Sequence, residues 1–474
     1  MQLDLNPASE ARAATTLHPI IAVATVAATI LLLVWPRKRI LIPFFLVAFL
    51  GSWGQFIYLF GVHLFIIRIL IVAGLVRVFA TKPSDGGPRL AGGWNGVDTV
   101  YVLWVTFHAL SDIVLNSGSS SSLIYQSGFV WDSLGGYLLI RCLIREQDDI
   151  IRLVKIFAGL VVVLGGAMMY EKFRGQNVFG FLGAISLIPQ MREGTVRAQA
   201  AFAHPILAGV AAATFLPLFW WLWKSGKAKT AGVFGTFGSM LMIVASGSST
   251  PVLALGSAIL GVCLWPFRKS MRAIRWGIVL TLVSLHLVMK APVWWLIARV
   301  DLLAGNSGFH RAALIDMCIR HFSDWWLYGS KDMATWGWDM WDLSNQFVVE
   351  ADCGGIFTIV CFVMVISRTF GRIGKARKLV EGDTDQEWFF WLLGVTLLTH
   401  VVSYFGITYQ DQTKFAWCAF LAIATAATYP VLANAPASET AAIPNFKNRS
   451  LQVEPATASS ARKTGIVLKK LQGS

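Results

Sequence analysis

The 474-residue chain is 55% hydrophobic and 14% charged, whereas soluble domains carry about 25% charged residues. Its mean hydropathy is +0.60, and apolar stretches long enough to cross about 30 Å of hydrocarbon recur along it, which excludes a soluble protein with one atypical helix. The net charge of +14 first indicates basic loops on the cytoplasmic side of a membrane, and since no DNA- or RNA-binding motif occurs, nucleic acid is not an expected partner.

The apolar runs predict an all-α transmembrane bundle of about 12 or 13 helices, because uninterrupted runs of this length cross lipid as helices rather than as barrel strands. The predicted segments are 18–35, 40–53, 57–77, 97–115, 126–144, 150–170, 203–223, 231–246, 251–267, 275–296, 346–367, 387–405 and 413–433. Segment 40–53 is short enough to be re-entrant. We expect 1–433 to form one transmembrane domain and 434–474, rich in Ala, Ser, Pro and Lys, to form a disordered basic cytoplasmic tail.

Lys and Arg alternate between successive connections, and this pattern predicts the orientation. The basic connections are 36–39, 77–96, 141–155, 224–230, 268–275 and 368–378, whereas 51–54, 116–125 and 247–250 contain no Lys or Arg. By the positive-inside rule the basic connections face the cytoplasm. In a bacterial inner membrane, the other connections would face the periplasm.

Two predicted periplasmic loops are long, at about 171–202 and 293–345, and long ordered loops often carry function. The second loop contains seven of the 20 Trp residues. These Trp residues indicate either an aromatic belt at the membrane interface or a groove for a lipid tail or sugar rings. Within the loop, apolar residues at helical spacing predict a short amphipathic helix over Gly308–His321.

Arginines on the predicted periplasmic face are the first candidate ligands. Arg197, Arg299 and Arg311 stand where positive charge is disfavoured, so a reason for them is needed. A guanidinium offers a planar fork that matches phosphate oxygens, which favours an anionic diphosphate ligand. The alternative is pairing with the acidic residues of the same loops.

Ionisable residues inside apolar segments form a second group, comprising Arg68, Asp112, Asp132, Glu350 and Asp352. Each indicates an internal ion pair or a water-filled cavity. A carboxylate near two arginines, such as that of Glu350, is either a general base for a sugar hydroxyl or part of a structural ion pair.

Histidines near this face are the remaining candidates. His204, His310, His321 and His400 show no metal-ligand spacing, so neither a metal nor another cofactor is expected. His310, beside Arg311, is the best candidate base among them. The polar turn Ser246–Thr250 either satisfies backbone groups at a tight turn or lines the site.

Four stretches, in this order, resemble the O-antigen ligase and polymerase superfamily of bacterial membrane proteins. They are RAQAAFAHPILAG at 197–209, ASGSSTPVLAL at 245–255, GFHRAALIDMCIRHFSDWWLYG at 308–329 and SNQFVVEADCGG at 344–355. The resemblance covers roughly residues 150–370. The family's ligases have His immediately before the Asn that matches Asn345, where this chain has Ser344, and the Arg of the family's Ser-x-Ser-Arg turn is Thr250 here.

This resemblance implies a metal-independent membrane glycosyltransferase of polysaccharide biosynthesis. It would take glycan from an undecaprenyl-diphosphate carrier on the periplasmic side and pass it to another glycan or to lipid A core. Arg197 and Arg311 match the arginines that hold the diphosphate. The missing His leaves three alternatives: Glu350 or His310 is the base, the protein is a polymerase with different chemistry, or it is inactive. The residues alone leave two other classes of function open. One is a transporter or flippase for a lipid-linked or anionic solute, and the other is a non-catalytic scaffold.

Overall fold

A computed structural model describes residues 15–82, 86–299 and 307–434; the predicted cytoplasmic tail beyond Asn434 lies outside the described residues. The described helices are α1 (Pro19–Val34), α2 (Arg37–Leu50), α3 (Ile66–Ala80), α4 (Gly96–Leu115), α5 (Ser120–Val130), α6 (Gly136–Leu143), α7 (Gln147–Arg174), α8 (Pro205–Lys224), α9 (Lys229–Ala245), α10 (Ser249–Cys263), α11 (Met271–Val288), α12 (Ser307–Arg320), α13 (Phe322–Trp325), α14 (Gln346–Leu379), α15 (Thr384–Tyr404) and α16 (Gln412–Ala433).

Short elements complete the described chain. They are the hairpins β1–β2 (Phe56–Leu59 and Val62–Phe65) and β3–β4 (Gln190–Arg192 and Thr195–Arg197), a π-helical turn at Trp131–Gly135, and 3-10 helices at Val178–Leu182, Trp265–Ser270, Val293–Arg299 and Met333–Trp336. The long loop at 293–345 thus contains short helices, as expected, and the predicted amphipathic helix is α12.

Length and composition confirm the helical membrane character of the chain. Six described helices are long and apolar enough to cross a membrane, namely Gly96–Leu115, Gln147–Arg174, Pro205–Lys224, Trp265–Val288, Gln346–Leu379 and Gln412–Ala433. Shorter apolar helices occur at Pro19–Val34, Lys229–Ala245 and Ser249–Cys263. A helix of this kind satisfies its own backbone groups, as lipid requires.

The bundle centres on α8 and α16, whose side chains are buried along most of their length. Helices α7 and α9 pack at close range, because a Cβ on Gly238 would stand 2.7 Å from the Val161 carbonyl oxygen. Small residues allow such close approach of helices in a membrane. By contrast, α11 has no buried residue, so all its faces are available to lipid.

The predicted segment 57–77 is wrong in its first half. An antiparallel hairpin pairs Phe56 with Phe65 and Leu59 with Val62, and helix α3 begins only at Ile66. The turn places Phe60 and Gly61 at positive φ. The periodicity of a short apolar run does not distinguish a strand from a helix. The β-branched and aromatic residues of this run are those that favour strands.

A π-helical turn interrupts the predicted segment 126–144 and carries Asp132. The Arg68 guanidinium donates to both Asp132 carboxylate oxygens, at 2.9 and 2.8 Å. Two parallel bonds of this kind are the strong form of an ion pair. Of the two interpretations from the sequence, an internal ion pair or a water-filled cavity, these two residues form the ion pair.

The connections gather at two ends of the bundle. At one end, the basic end, Arg37 pairs with Asp149 at 2.7 Å and Arg268 with Glu387 at 2.9 Å. At the opposite end the Ala201 carbonyl accepts from Trp53 N at 2.9 Å and from Gln412 Nε2 at 3.0 Å. This division matches the alternation of basic and non-basic connections in the sequence.

Helix α14 is broken at Gly355, which has φ of 65°. A segment of the long loop fills the break, since Ile356 N donates to the Trp326 carbonyl and Ser330 N donates to the Asp352 carbonyl, each at 2.9 Å. Backbone groups that the helix leaves free are thus satisfied by protein. The break leaves a short half-helix, residues 346–354, that carries Glu350 at the opposite end of the bundle.

Candidate functional site

Two buried arginines meet the polar turn between α9 and α10. The Arg197 guanidinium donates to Ser248 Oγ at 2.6 and 3.3 Å, and that of Arg311 donates to Thr250 Oγ1 at 2.8 Å and Ser249 Oγ at 3.4 Å. Both side chains are buried, with 8% and 5% of their surface exposed. The turn therefore holds the two guanidinium groups on one side of the bundle end.

The β3–β4 hairpin delivers Arg197 to this turn. Ala198 N donates to the Ala245 carbonyl at 3.0 Å, which joins the end of β4 to the end of α9. Gly247 has φ of 54°, and a Cβ there would stand 3.3 Å from Arg197 Cγ. Glycine suits this position because it adopts positive φ without a steric cost and leaves room for the arginine stem.

The two arginines line a cavity of about 450 Å³, here called the arginine cavity. Its polar lining residues are Arg192, Arg197, His204, Ser248, Ser249, His310, Arg311, Asp339, Asp342 and Ser344. Burial, together with the positive charges of Arg192 and Arg311, lowers the pKa of the Arg197 guanidinium. Among the described residues, Arg197 forms no ion pair with a carboxylate, so an anion in the cavity would relieve this repulsion.

His204 lies in the same cavity and caps the start of α8. Its Nδ1 accepts from Ile206 N at 3.2 Å, which leaves Nε2 as the protonated nitrogen of the neutral ring. Burial and the charge of Arg197 lower the pKa of His204 to about 4. At neutral pH His204 is therefore an uncharged hydrogen-bond donor and adds no positive charge.

His310 also lines the arginine cavity, beside acidic residues. Its Nε2 is 2.9 Å from the Asp342 carbonyl oxygen, and its ring nitrogens stand 4.0 Å from carboxylate oxygens of Asp339 and Asp342. A backbone carbonyl can only accept, so Nε2 carries the proton and Nδ1 keeps the lone pair in the neutral ring. His310 and Arg311 thus share a cavity although they are adjacent on a helix.

Glu350 does not join the arginines. It lines a second cavity of about 390 Å³, here called the aromatic cavity. The aromatic side chains that line this cavity are Tyr101, Trp104, Tyr125, Phe129, Trp341, Phe362, Tyr404, Tyr409 and Trp417. Asp342 and Ser344 line both cavities, so the two cavities lie on either side of the same short stretch of chain.

The Glu350 carboxylate is fully buried and well supplied with donors. It accepts from Gln346 Nε2 at 2.7 Å and from Trp104 Nε1 at 2.8 Å, and His108 Nδ1 lies 3.3 Å away. These three contacts hold the carboxylate between α4 and α14. The sequence interpretation did not include His108, although an ionisable residue inside an apolar segment is itself a signal of function.

Asn345 and Arg299 lie outside the residues that line the two cavities. Asn345 Oδ1 caps α14 by accepting from Phe347 N at 3.0 Å and Val348 N at 3.3 Å, which is a structural task. Arg299 is exposed at the end of a 3-10 helix. Of the predicted substrate-binding residues, the arginine cavity therefore brings together Arg197 and His204, with Arg311 and His310 from the predicted catalytic set.

The described residues contain no group of three or more His, Cys, Asp or Glu side chains that could hold a metal ion. Comparison of the chain with protein-family models and with curated proteins finds no match.

Proposed function

We propose that this protein is a membrane glycosyltransferase that takes glycan from an undecaprenyl-diphosphate carrier and passes it to a sugar hydroxyl. The observation that carries the proposal is the pair Arg197 and Arg311, held side by side by one Ser/Thr turn in a polar cavity. Buried guanidinium groups bind diphosphate oxygens through charged hydrogen bonds. They also stabilise the negative charge that develops on a departing diphosphate, which is a large term in catalysis of this kind.

The arrangement suits a carrier that is half lipid and half glycan. Both cavities lie at the end of the bundle opposite the basic loops, which by the positive-inside rule is the periplasmic end in a bacterial inner membrane. The aromatic cavity offers ring faces and hydrogen-bonding groups next to the arginine cavity, as a sugar requires. We infer that donor diphosphate occupies the arginine cavity and that sugar rings extend toward the aromatic cavity.

The proposal is tested with purified protein in detergent. One reaction contains undecaprenyl-diphosphate oligosaccharide alone, a second contains lipid A core as well, and the products of both are identified by mass spectrometry. Longer lipid-linked chains in the first reaction would support a polymerase, and product in the second reaction alone would support a ligase. If the lipid-linked oligosaccharide binds and neither reaction forms product, the enzyme proposal fails and transport of the lipid-linked solute becomes the better account.

A further inference from the structure

The aromatic cavity contains a histidine and a carboxylate arranged as an oriented base. His108 Nδ1 lies 3.3 Å from Glu350 Oε2. The same carboxylate accepts from Trp104 Nε1 and Gln346 Nε2. A carboxylate placed among donors acts as an acceptor, so we assign the proton of the neutral imidazole to Nδ1. The Nε2 atom then keeps its lone pair and is the acceptor available to a proton.

Aromatic packing fixes the plane of this imidazole. The rings of His108 and Phe129 are stacked, with centroids 4.1 Å apart and an angle of 20° between their planes. The Trp104 ring approaches His108 edge-on at 6.4 Å and also donates to Glu350. A base whose orientation is set by packing and by a second hydrogen bond needs no rearrangement when it accepts a proton.

We propose that His108 is the general base of glycan transfer and that Glu350 is its positioning residue. This inference rests on the proposed function and identifies a residue outside the four stretches that carry the family resemblance. It accounts for Ser344, where family ligases have His, because the base would come from α4 instead. Ser344 itself lines both cavities, and the reacting groups would meet beside it.

The acceptor hydroxyl oxygen forms a bond to the anomeric carbon of the donor sugar while the bond from that carbon to the phosphate oxygen breaks. The electron pair leaves with the diphosphate, which Arg197 and Arg311 bind. The hydroxyl proton passes to His108 Nε2, Glu350 stabilises the resulting imidazolium, and the proton later returns to solvent.

A purely structural role is the competing explanation, since the pair also joins α4 to α14. The variant His108→Asn distinguishes a structural role from a catalytic one. The asparagine amide can still donate to Glu350 from the position of Nδ1, but it provides no nitrogen base. We expect this variant to bind undecaprenyl-diphosphate oligosaccharide as the wild type does and to lose about 10²-fold or more in transfer rate. Unchanged transfer by His108→Asn would overturn the proposal.

The split between kcat and KM gives a readout that packing alone would not move. Donor binding depends on Arg197 and Arg311 in the arginine cavity, whereas proton transfer depends on His108 and Glu350 in the aromatic cavity. Glu350→Gln removes the carboxylate that orients His108 and stabilises its imidazolium, so kcat should fall while KM for the undecaprenyl-diphosphate oligosaccharide stays near the wild-type value.

If His108→Asn fails to fold, Glu350→Gln tests the same pair. An unchanged kcat in Glu350→Gln, or a rise in KM with no fall in kcat, would overturn the role of the pair in proton transfer. The matched control is His321→Asn, because His321 forms a similar pair with Asp324 at 2.9 Å but is only half-buried and lines neither cavity. It should transfer glycan at the wild-type rate.

The failures of the two proposals are distinguishable. If the wild-type protein forms no product, the proposed function fails. If the wild type forms product and His108→Asn forms it equally fast, only the assignment of the base fails.

Discussion

Thr250 accepts a hydrogen bond from Arg311 across 61 residues of sequence, at 2.8 Å between Oγ1 and the guanidinium. The Thr250 hydroxyl therefore orients the guanidinium in the turn. Thr250 also donates to the Gly406 carbonyl at 3.3 Å. One hydroxyl thus joins the long loop, the turn and the segment after α15.

Replacing Thr250 by Val should slow glycan transfer. Valine has the shape of threonine and lacks the hydroxyl, so a buried charged donor loses an acceptor, at a cost of about 1–3 kcal/mol. We expect a rate lower by about 5- to 100-fold, measured with the lipid-linked oligosaccharide. Thr250→Ser keeps the hydroxyl and is the control; an equal loss in both variants would indicate a packing effect instead.

Replacing Arg311 by Ala should abolish transfer without loss of expression. Removing one group that stabilises the leaving charge costs about 10²- to 10³-fold in comparable sites. Arg311→Lys keeps the charge but not the planar fork, so it should retain partial activity. Arg320 lies on the same helix, is itself exposed and pairs with the buried Asp316 at 2.7 Å. It lines neither cavity, so Arg320→Ala should have little effect on transfer. Full activity of Arg311→Ala would contradict the diphosphate site.

The His204 imidazole should make the fold less stable at low pH. Its pKa is about 4 in the folded protein and about 6.5 in an unfolded chain, so the unfolded chain binds the proton more readily. The stability that depends on the neutral ring is therefore complete above pH ~6.5 and is lost as the pH falls toward about 4.

Thermal unfolding in detergent at several pH values measures this effect against His204→Asn. Asparagine also caps helices well and does not titrate. From pH 7 to pH 4 the apparent unfolding temperature should fall more steeply for the wild type than for His204→Asn. Parallel curves would show that His204 does not titrate with a lowered pKa.

Gly329 should be needed for the break in α14. It has φ of 98°, and a Cβ there would stand 1.9 Å from the Asp352 carbonyl oxygen, so Gly329→Ala forces the loop away from the half-helix. We expect a loss of more than about 2 kcal/mol of stability and a lower unfolding temperature. Gly374, where a Cβ meets nothing within 4 Å, is the matched control. Because alanine favours a helix, Gly374→Ala should be neutral or stabilising by up to about 1 kcal/mol.

Local patterns in the sequence predict most of the helices. Segment 97–115 corresponds to α4 and the predicted helix Gly308–His321 to α12, each within one residue. The break at Gly355 is not predictable in this way, because it depends on a loop that packs against α14 from outside. Local patterns report on neighbours in sequence, whereas that loop contact is tertiary.

The site was predictable only in part for the same reason. Arg197 and Arg311 are recognisable in the sequence because positive charge is unusual on the predicted periplasmic face. The structure places both in one cavity. The sequence suggests Glu350 as a carboxylate near the two arginines, but its position on the half-helix 346–354 directs it to the aromatic cavity. Its partner His108 lies 242 residues away, and no local pattern connects the two.

An experimental structure of the full chain with undecaprenyl diphosphate tests the central claim most directly, namely that Arg197 and Arg311 hold the diphosphate. The account predicts phosphate oxygens within about 3 Å of both guanidinium groups, with the lipid leaving the cavity toward the bilayer. A diphosphate bound elsewhere on the bundle, with the arginine cavity empty of it, would contradict the account.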